Sequence, residues 1–473
     1  MSNINGKSIA FDGVEYFYNT FTTAEINEYK GLRDMYHGTG GFDTGSYLKQ
    51  FPRETDTFYE SRQSIAHYEN IFKPELDSSV DAIFAKNQIR ETNSEIIEIF
   101  TKNPSKINNE SMPEYQRRKR IDLKLFGSVF EICDAPATEA ESGLFDGSND
   151  LMPYAFYLNP LQIEGYALDK SGALSMLIYF EDKDQRNADI HDISANDYRM
   201  KVWLRTSDKI YSFLYEEQKV IKESIKDDYE YFPVTLLEDN TRYKPNLICR
   251  SRYISELTVM KKIYNITSWF NDSFFKNCFA FLVVNGKLPP DIDLGNDGIM
   301  EYIGDGVNPP SYVAPPTEHL SVMITELERL IINLKQNMNS TVAIASTASG
   351  EARMEADRRR IEKLKQDAQD IQDNETWLVN YALSNYLDIS YTYSVMYIKD
   401  FESLTKEDEL SSLQSLLDTG YLKQPVIDEV VSDMLKITYS FNEKRAKELS
   451  ELQINTIETT ENDAFEEAPE IDE

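Results

Sequence analysis

The chain has 473 residues, of which 41% are hydrophobic and 12% aromatic, so it should form about two to four folded regions with a substantial core. Its net charge of −32 argues against non-specific DNA binding by the isolated chain, because phosphate binding depends on Lys and Arg. The cysteines form no CxxC pair, which predicts neither a disulfide framework nor a zinc site. No basic segment followed by an apolar run opens the chain, so no signal peptide is expected. The most apolar run, 274–284, is about half the roughly 20 residues that a membrane span needs.

The first half of the chain is predicted to be helical and then strand-rich. After an N-terminal arm at 1–21, residues 22–130 show helical patterns, including a basic helix at 112–126. The glycines of HGTGGFDTGSY interrupt this pattern and predict a loop. From 127 to 237 the pattern changes to short aromatic and β-branched runs separated by turn residues, such as DKSG at 169–172. These runs predict antiparallel hairpins.

The middle of the chain predicts two long amphipathic helices on either side of a non-helical unit. The helices are expected at 251–282 and 317–338, and the segment 283–316 between them is dense in Gly, Pro and Asp. Small uncharged residues follow at 339–350. A third long helix is then expected to begin near Ser349, its predicted N-cap.

The C-terminal part predicts further helices and a tail. A long helix and an aromatic strand are expected within 350–399, and short helices within 400–450. The final segment, 451–473, is acidic and contains no Lys or Arg, which predicts disorder.

No sequence motif predicts catalysis. The chain has no P-loop, GxSxG, HExxH or EF-hand pattern. Ser346 and its neighbouring serines have no histidine beside them. Acid pairs such as Asp291/Asp293 and Asp297/Glu301 could in principle act in hydrolysis, but chance alone supplies many such pairs in so acidic a chain. The histidines lack metal-ligand spacing and are expected to be structural or exposed: His37, His67, His191 and His319. We therefore expect no catalytic residue, no metal and no cofactor.

Two long amphipathic helices that flank a compact unit indicate an assembly protein and not an enzyme, because such helices usually bury their apolar stripes on each other or on neighbouring copies. Several stretches of the sequence also resemble a known protein family. In chain order, these stretches are EYKGLRDMYHGTGGFDTGSYLKQFPRETDTFYESRQSIAHYENIFKPELDSSVDAIFAK, FGSVFEICDAP followed by YLNPLQIEGYALDKSGALSMLIY, LPPDIDLG, YVAPPTEHLSVMITELERLI and STASGEARMEADRRRIEKLKQDAQDIQDNE. In this order, over roughly 25–435, they resemble the portal proteins of tailed bacteriophages, the head-to-tail connector at one capsid vertex.

The resemblance implies an α+β fold that is mainly helical. The wing would span 22–250, with a helical part at 22–130 and a β-rich part at 127–237. The remaining parts would be stem helices at 251–282 and 317–338, a small β clip at 283–316, a tunnel loop at 339–350, a long wing helix with a return strand at 350–399, and a helical crown at 400–450.

The resemblance also implies partners. Copies of the chain would form a homo-dodecameric ring, and double-stranded DNA would pass through its axis without sequence-specific contacts. The terminase large subunit would supply the work of packaging, and a head-completion adaptor would dock later. The major capsid and scaffolding proteins would be further partners, and no membrane would be involved. The protein would lie at the capsid vertex of the virion, and in the host cytoplasm during assembly.

Three groups of residues would carry these roles. The clip residues expected to dock terminase and adaptor are Gly286, Lys287, Asp291, Asp293, Asn296, Asp297, Glu301 and Asp305. The tunnel loop that faces DNA would comprise Ser340, Thr341, Val342, Ala343, Ile344, Ala345, Ser346, Thr347, Ala348, Ser349 and Gly350. Candidate phosphate contacts in the channel are Lys261, Lys262, Lys276, Arg329 and Lys335, although each can instead pair with an acid on the next subunit.

The charge of the chain predicts how DNA would interact with the wall of such a ring. An acidic wall repels DNA and lets it slide without sticking. Residues 340–350 carry no charge, so a loop there can contact DNA only sterically or through hydroxyl hydrogen bonds. The block Arg358-Arg359-Arg360 is expected to be solvated or to pair between subunits.

Two other functions stay open on the sequence alone. One is a metal-dependent phage DNA-processing enzyme that uses clustered carboxylates, which DNA cleavage in Mg²⁺ or Mn²⁺ would reveal. The other is a different virion structural protein, such as a tail or baseplate component, which a terminase would not bind.

Overall fold

The structure, a computed structural model, describes residues 6–85, 88–105, 110–135, 152–180, 200–216, 219–225, 229–277, 281–285, 299–302, 311–313, 318–338, 350–387, 389–399 and 401. Met1–Lys399 forms one compact unit and Asp400–Glu473 a second, so nearly all described residues belong to the first. The crown predicted at 400–450, apart from Phe401, and the acidic tail at 451–473 lie outside the described residues.

The helices of the first region follow local sequence signals. They are α1 (Thr23–His37), α2 (Asp56–Ile65), α3 (Phe72–Phe84), α4 (Glu95–Lys102) and α5 (Met112–Phe126). Both α1 and α5 begin at a capping box, Thr22 with Glu25 and Ser111 with Glu114, which satisfies amides that the first helical turn leaves free. α5 ends at Gly127, with φ at 84°. A Cβ there would lie 2.5 Å from the backbone of a distant loop, so the position requires glycine.

The strands form four sheets among the described residues. The strands are β1 (Gly6–Phe11), β2 (Val14–Asn19), β3 (Ile89–Thr92), β4 (Ser128–Asp134), β5 (Tyr154–Leu158), β6 (Ile163–Leu168), β7 (Leu174–Phe180), β8 (Met200–Arg205), β9 (Ile210–Glu216), β10 (Lys219–Ile225), β11 (Val234–Glu238), β12 (Phe281–Asn285), β13 (Ile299–Tyr302), β14 (Ser311–Val313) and β15 (Tyr393–Met396). The largest sheet has the order β1-β2-β6-β7-β8-β9-β10, and the smaller sheets are β11-β4-β5, β13-β12-β14 and β15-β3.

The segment predicted as an N-terminal arm contributes two strands to the largest sheet. β1 and β2 form a hairpin, and Asn19 pairs with Tyr166 of β6. The turn residues Asp12 and Gly13 have φ of 47° and 73°, as a type I′ hairpin turn requires. The Asp-Gly pair between two apolar alternating runs was therefore a usable hairpin signal.

The largest sheet separates two apolar clusters. Alternate residues of β7 and β8, such as Leu177 and Trp203, face the main core, which also contains buried residues of α1, α3, α5 and β4. Their neighbours Met176 and Val202 face a smaller cluster with Ile9 and Phe11. Phe11 stacks on Phe213 of β9 with ring centroids 4.4 Å apart, so the sheet curls until β1 and β9 meet.

In the second half, the described residues form three long helices: α6 (Ile254–Asn277), α7 (Glu318–Asn337) and α8 (Gly350–Trp377). The prediction of one helix over 251–282 was too long, because β12 begins at Phe281. The run of Phe, Leu and Val in this part of the sequence fits a buried strand as well as a helix, and periodicity alone does not distinguish the two structures. α8 continues through a π-helical turn, Leu378–Ala382, and a 3-10 turn, Leu383–Tyr386. None of the helices that the structure describes is long and apolar enough to cross a membrane.

Candidate functional site

The described residues contain a buried ionic contact between α5 and α8. We call it the α5–α8 seam. On α8 its side chains are three and four residues apart, and on α5 Arg120 and Lys124 are four apart, so each of these sets shares one helix face, with Lys119 adjoining Arg120. The seam consists of Lys119, Arg120 and Lys124 on α5 and of Asp367, Asp370 and Asn374 on α8.

Asp367 lies at the centre of the seam and is 1% exposed. Its two carboxylate oxygens accept from Arg120 and Lys124, each at 2.5 Å. Lys363, one turn earlier on α8, adds a third cation at 3.2 Å. Burial alone would raise the pKa of Asp367, but Arg120, Lys124 and Lys363 outweigh it and hold that pKa well below its usual range. Asp367 is therefore ionised, and it binds α8 to α5.

Lys119 extends the seam toward the strands. Its ammonium donates to Glu131 of β4 at 2.5 Å and to the side-chain oxygen of Asn374. The hydroxyl of Tyr115 donates to the same Glu131 oxygen at 2.9 Å. Burial lowers the pKa of Lys119, although Glu131 opposes that shift. These bonds join α5, α8 and the middle strand of the β11-β4-β5 sheet.

Asp239 extends the seam to the start of α6. One carboxylate oxygen lies 3.5 Å from Arg120 and the other pairs with Arg252, two residues before α6 begins. Arg252 also donates to the Asp239 carbonyl at 3.0 Å. The seam therefore connects α8 to the residues just before α6.

A second buried carboxylate holds the C-terminal end of α8. Glu375, at 0% exposure, accepts two bonds from Arg90 of β3, at 2.7 and 3.1 Å. It also accepts from the hydroxyls of Tyr393 and Tyr397. α8 is thus fixed at two points by buried acids that each have several donors.

The seam should make the fold sensitive to acid. A carboxyl whose pKa is depressed by folding contributes stability above its unfolded pKa, about 4, and loses that contribution as the pH falls through the folded value. We expect Tm to fall between neutral pH and about pH 3, with a smaller fall in Asp367→Asn, which lacks the titrating group. Thermal unfolding followed by circular dichroism measures both. Parallel Tm–pH curves for the two proteins would contradict the role of Asp367.

α6 and α7 pack as an antiparallel pair. Glu256, early in α6, accepts from Asn337 at the end of α7 at 3.3 Å, whereas Lys262, further along α6, pairs with the earlier Glu326 at 2.7 Å. Leu330 and Leu334 of α7 are buried in the main core with residues of α6. The small sheet β13-β12-β14 therefore joins the two helices at one end of the pair.

The candidate phosphate contacts lie on this pair or beside it. Lys262 and Arg329 both bind Glu326 at 2.7 Å. These bonds lower the pKa of Glu326 to about 2, and the bond from Arg329 has the larger effect. Lys261 lies over the ring of Tyr47, 3.8 Å from its centroid. Lys335 lies 3.4 Å from Glu75 of α3. The acids that pair with these cations are in the same chain, and the side chain of Lys276 lies outside the described part of the structure.

The other predicted site residues are mostly outside the described residues. This holds for the tunnel loop up to Ser349 and for the clip residues except Glu301, whose backbone lies in β13. Gly350 begins α8. In the block Arg358–Arg360, Arg358 pairs with Glu362 on its own helix at 3.3 Å and is largely exposed. His37 and His67 are exposed; nothing is described of the side chains of the other two histidines.

Sequence reasoning did not identify the seam. The basic helix at 112–126 was predicted, and the acids of α8 are spaced along one helical face. Their partnership was invisible because Arg120 and Asp367 are 247 residues apart. Among the described residues, no group of three or more His, Cys, Asp or Glu side chains could hold a metal ion.

Comparison with known protein families and with curated proteins finds no match. Among solved structures, the chain is similar to one from a structure described as the neck of an empty GTA particle computed with C6 symmetry. The TM-score is 0.37 and the sequence identity is 10%, over 74% of this chain and 86% of that chain. A similarity at this level assigns no function.

Proposed function

We propose that this chain is a phage portal protein, a ring-forming subunit at one capsid vertex. Twelve copies surround a channel through which a terminase packages double-stranded DNA and through which the DNA is later ejected. The observation that carries the proposal is the order of elements: the antiparallel pair α6 and α7 with a small sheet at its tip, then the uncharged residues 339–349, then the long anchored helix α8.

The pair α6–α7 supports the proposed stem and clip. α6 and α7 contribute buried residues to the main core, and the β13-β12-β14 sheet joins the two helices at one end of the pair. We assign the terminase and the head-completion adaptor to this clip, including the acids of 291–305.

The anchoring of α8 supports the proposed tunnel loop. Residues 339–349 leave α7 just after Lys335, which pairs with Glu75, and enter α8, which the seam and Glu375 hold. A loop that must withstand moving DNA needs a firm support; here the α7 end has an ionic contact at Lys335, and α8 is held further along, at Asp367 and Glu375. Its uncharged residues would let DNA pass without electrostatic capture.

The cluster of Lys262, Glu326 and Arg329 supplies a weak phosphate contact. One carboxylate serves two cations, so the exposed cluster keeps a net positive charge in a chain whose net charge is −32. Such a cluster can touch the DNA backbone without reading sequence. An otherwise acidic wall keeps the DNA from binding tightly.

We expect Ala345→Asp to reduce DNA packaging strongly while leaving ring assembly intact, because each subunit adds a negative charge beside the DNA. DNA protected per capsid in a packaging reaction and ring images of the purified variant measure the two effects. Ala345→Ser, which adds no charge, is the matched control. Loss of rings in Ala345→Asp, or packaging equal to that of Ala345→Ser, would show that these residues are not a free DNA-facing loop.

A further inference from the structure

A basic pocket lies where α8 meets the end of α7 and the residues just before α6. Its volume is about 50 Å³. Four of the described lining side chains are cations: Lys124 of α5, Arg252 before α6, and Arg360 and Lys363 of α8. Asp367 is the one acid among them. Such an excess of cations around one pocket attracts an anion, although the net charge of the whole chain is −32.

The acids closest to these cations are already shared. Asp367 is bound within the seam, where it accepts from Arg120, and it also lies 3.2 Å from Lys363. Asp239, which does not line the pocket, pairs with both Arg252 and Arg120. Each carboxylate therefore serves more than one cation, and the two together do not neutralise the pocket.

Arg360 is the cation with free donors. It forms no ion pair and no hydrogen bond with any residue that the structure describes, although it is partly buried. The side chains of Arg252 and Lys363 are 30% and 32% exposed, so solutes can reach this side of the pocket. An incoming anion would therefore meet the unused guanidinium of Arg360 beside two further positive charges.

We propose that this pocket binds a phosphate group. The planar guanidinium of Arg360 can donate to two phosphate oxygens at once, while Arg252 and Lys363 face the remaining negative charge. One water needs roughly 10–15 Å³ by the same measure, so the pocket has room for about four waters, and a phosphate has four oxygens. The bound group would connect α8 to the residues before α6. It belongs to the packing of this chain and is independent of the ring proposal.

A carboxylate fits the pocket less well than a phosphate. Its two oxygens are satisfied by one guanidinium, which would leave the donors of Arg252 and Lys363 without a new acceptor. Asp367 repels either ligand, but its two oxygens accept from cations of α5, which compensate its charge. Asn337 also lines the pocket and donates to Glu256, an acid outside the lining.

Arg360→Gln tests the site in a calorimetric titration of the full-length chain with inorganic phosphate at constant ionic strength. We expect saturable binding to the wild type and an affinity lower by on the order of tenfold in the variant, because a charged hydrogen-bond donor is lost. The variant should fold normally, since Arg360 has no partner among the described residues.

Arg358→Gln is the matched control for this titration. It removes the same charge from the same helix, but Arg358 is largely exposed, pairs with Glu362 and does not line the pocket. Its phosphate affinity should stay within about twofold of the wild type. No binding to the wild type, or equal weakening in both variants, overturns the proposal.

Two further measurements identify the source of the phosphate and its position. A short DNA duplex without terminal phosphates serves as a competitor: displacement of bound phosphate assigns the site to a nucleic-acid backbone, and no displacement assigns it to the free ion. Both results support a phosphate site. Crystals soaked in arsenate, a phosphate analogue, should show an anomalous peak within hydrogen-bond distance of the Arg360 guanidinium. No peak in this pocket overturns the proposal.

Discussion

Replacing Asp367 with alanine should lower the free energy of unfolding by about 3–5 kcal/mol, one of the largest effects expected of any single substitution in the described part of the chain. The side chain itself is small. The loss comes from Arg120 and Lys124, which are almost completely buried and would keep their charges without the carboxylate that now lies 2.5 Å from both. Removing one partner of a buried ion pair costs more than the pair contributes, because the remaining charge stays out of water.

Asp373→Ala is the matched control, since Asp373 lies on the same helix but is exposed and bonds only Gln369 among the contacts seen, at 2.6 Å. Its effect should be about 0.5 kcal/mol or less. Urea unfolding of both variants, followed by tryptophan fluorescence, gives the comparison. Equal midpoints for the two variants would mean that the seam does not hold α8.

Glu375→Gln should lower the free energy of unfolding by about 2–4 kcal/mol. Glutamine has nearly the same shape, but it is neutral and can no longer accept a two-point ionic bond from Arg90. The hydroxyls of Tyr393 and Tyr397 would also compete for one remaining oxygen. The contact between the end of α8 and the β15-β3 sheet should therefore loosen first.

Hydrogen exchange resolves where that loosening occurs. Amides of β3 and β15 should exchange faster in Glu375→Gln, with little change in the seven-stranded β1-β2-β6-β7-β8-β9-β10 sheet. Glu362→Gln is the control, because Glu362 makes an exposed ion pair with Arg358 on the same helix and should change stability by about 0.5 kcal/mol or less. Uniform faster exchange across the whole chain would contradict a local role for Glu375.

Local sequence signals could have located the ends of several elements in the first region. The capping boxes at Thr22 and Ser111 and the glycine at 127 determine where α1 and α5 begin or end, and each of these signals spans only a few residues. The hairpin at Asp12-Gly13 carried an equally local signal. The end of α6 was misjudged because residues 274–284 are apolar on all sides, so neither a helical nor a strand period stands out.

The seam could not be predicted, for a physical reason. Its cations and acids are hundreds of positions apart, and a charged side chain on an amphipathic helix normally faces water. Only the packing of α8 against α5 shows that Lys119, Arg120 and Lys124 are buried and paired. The tunnel loop and most clip residues remain predictions, because residues 286–298, 303–310 and 339–349 lie outside the described part of the chain.

The ring itself is the most direct test of the proposed function. Native mass spectrometry of the purified full-length chain, combined with negative-stain images, counts the subunits and shows whether a channel exists. We expect closed rings of about twelve or thirteen copies around an open centre. A stable monomer at every concentration, with no rings in any image, would contradict the proposal that this chain forms a portal.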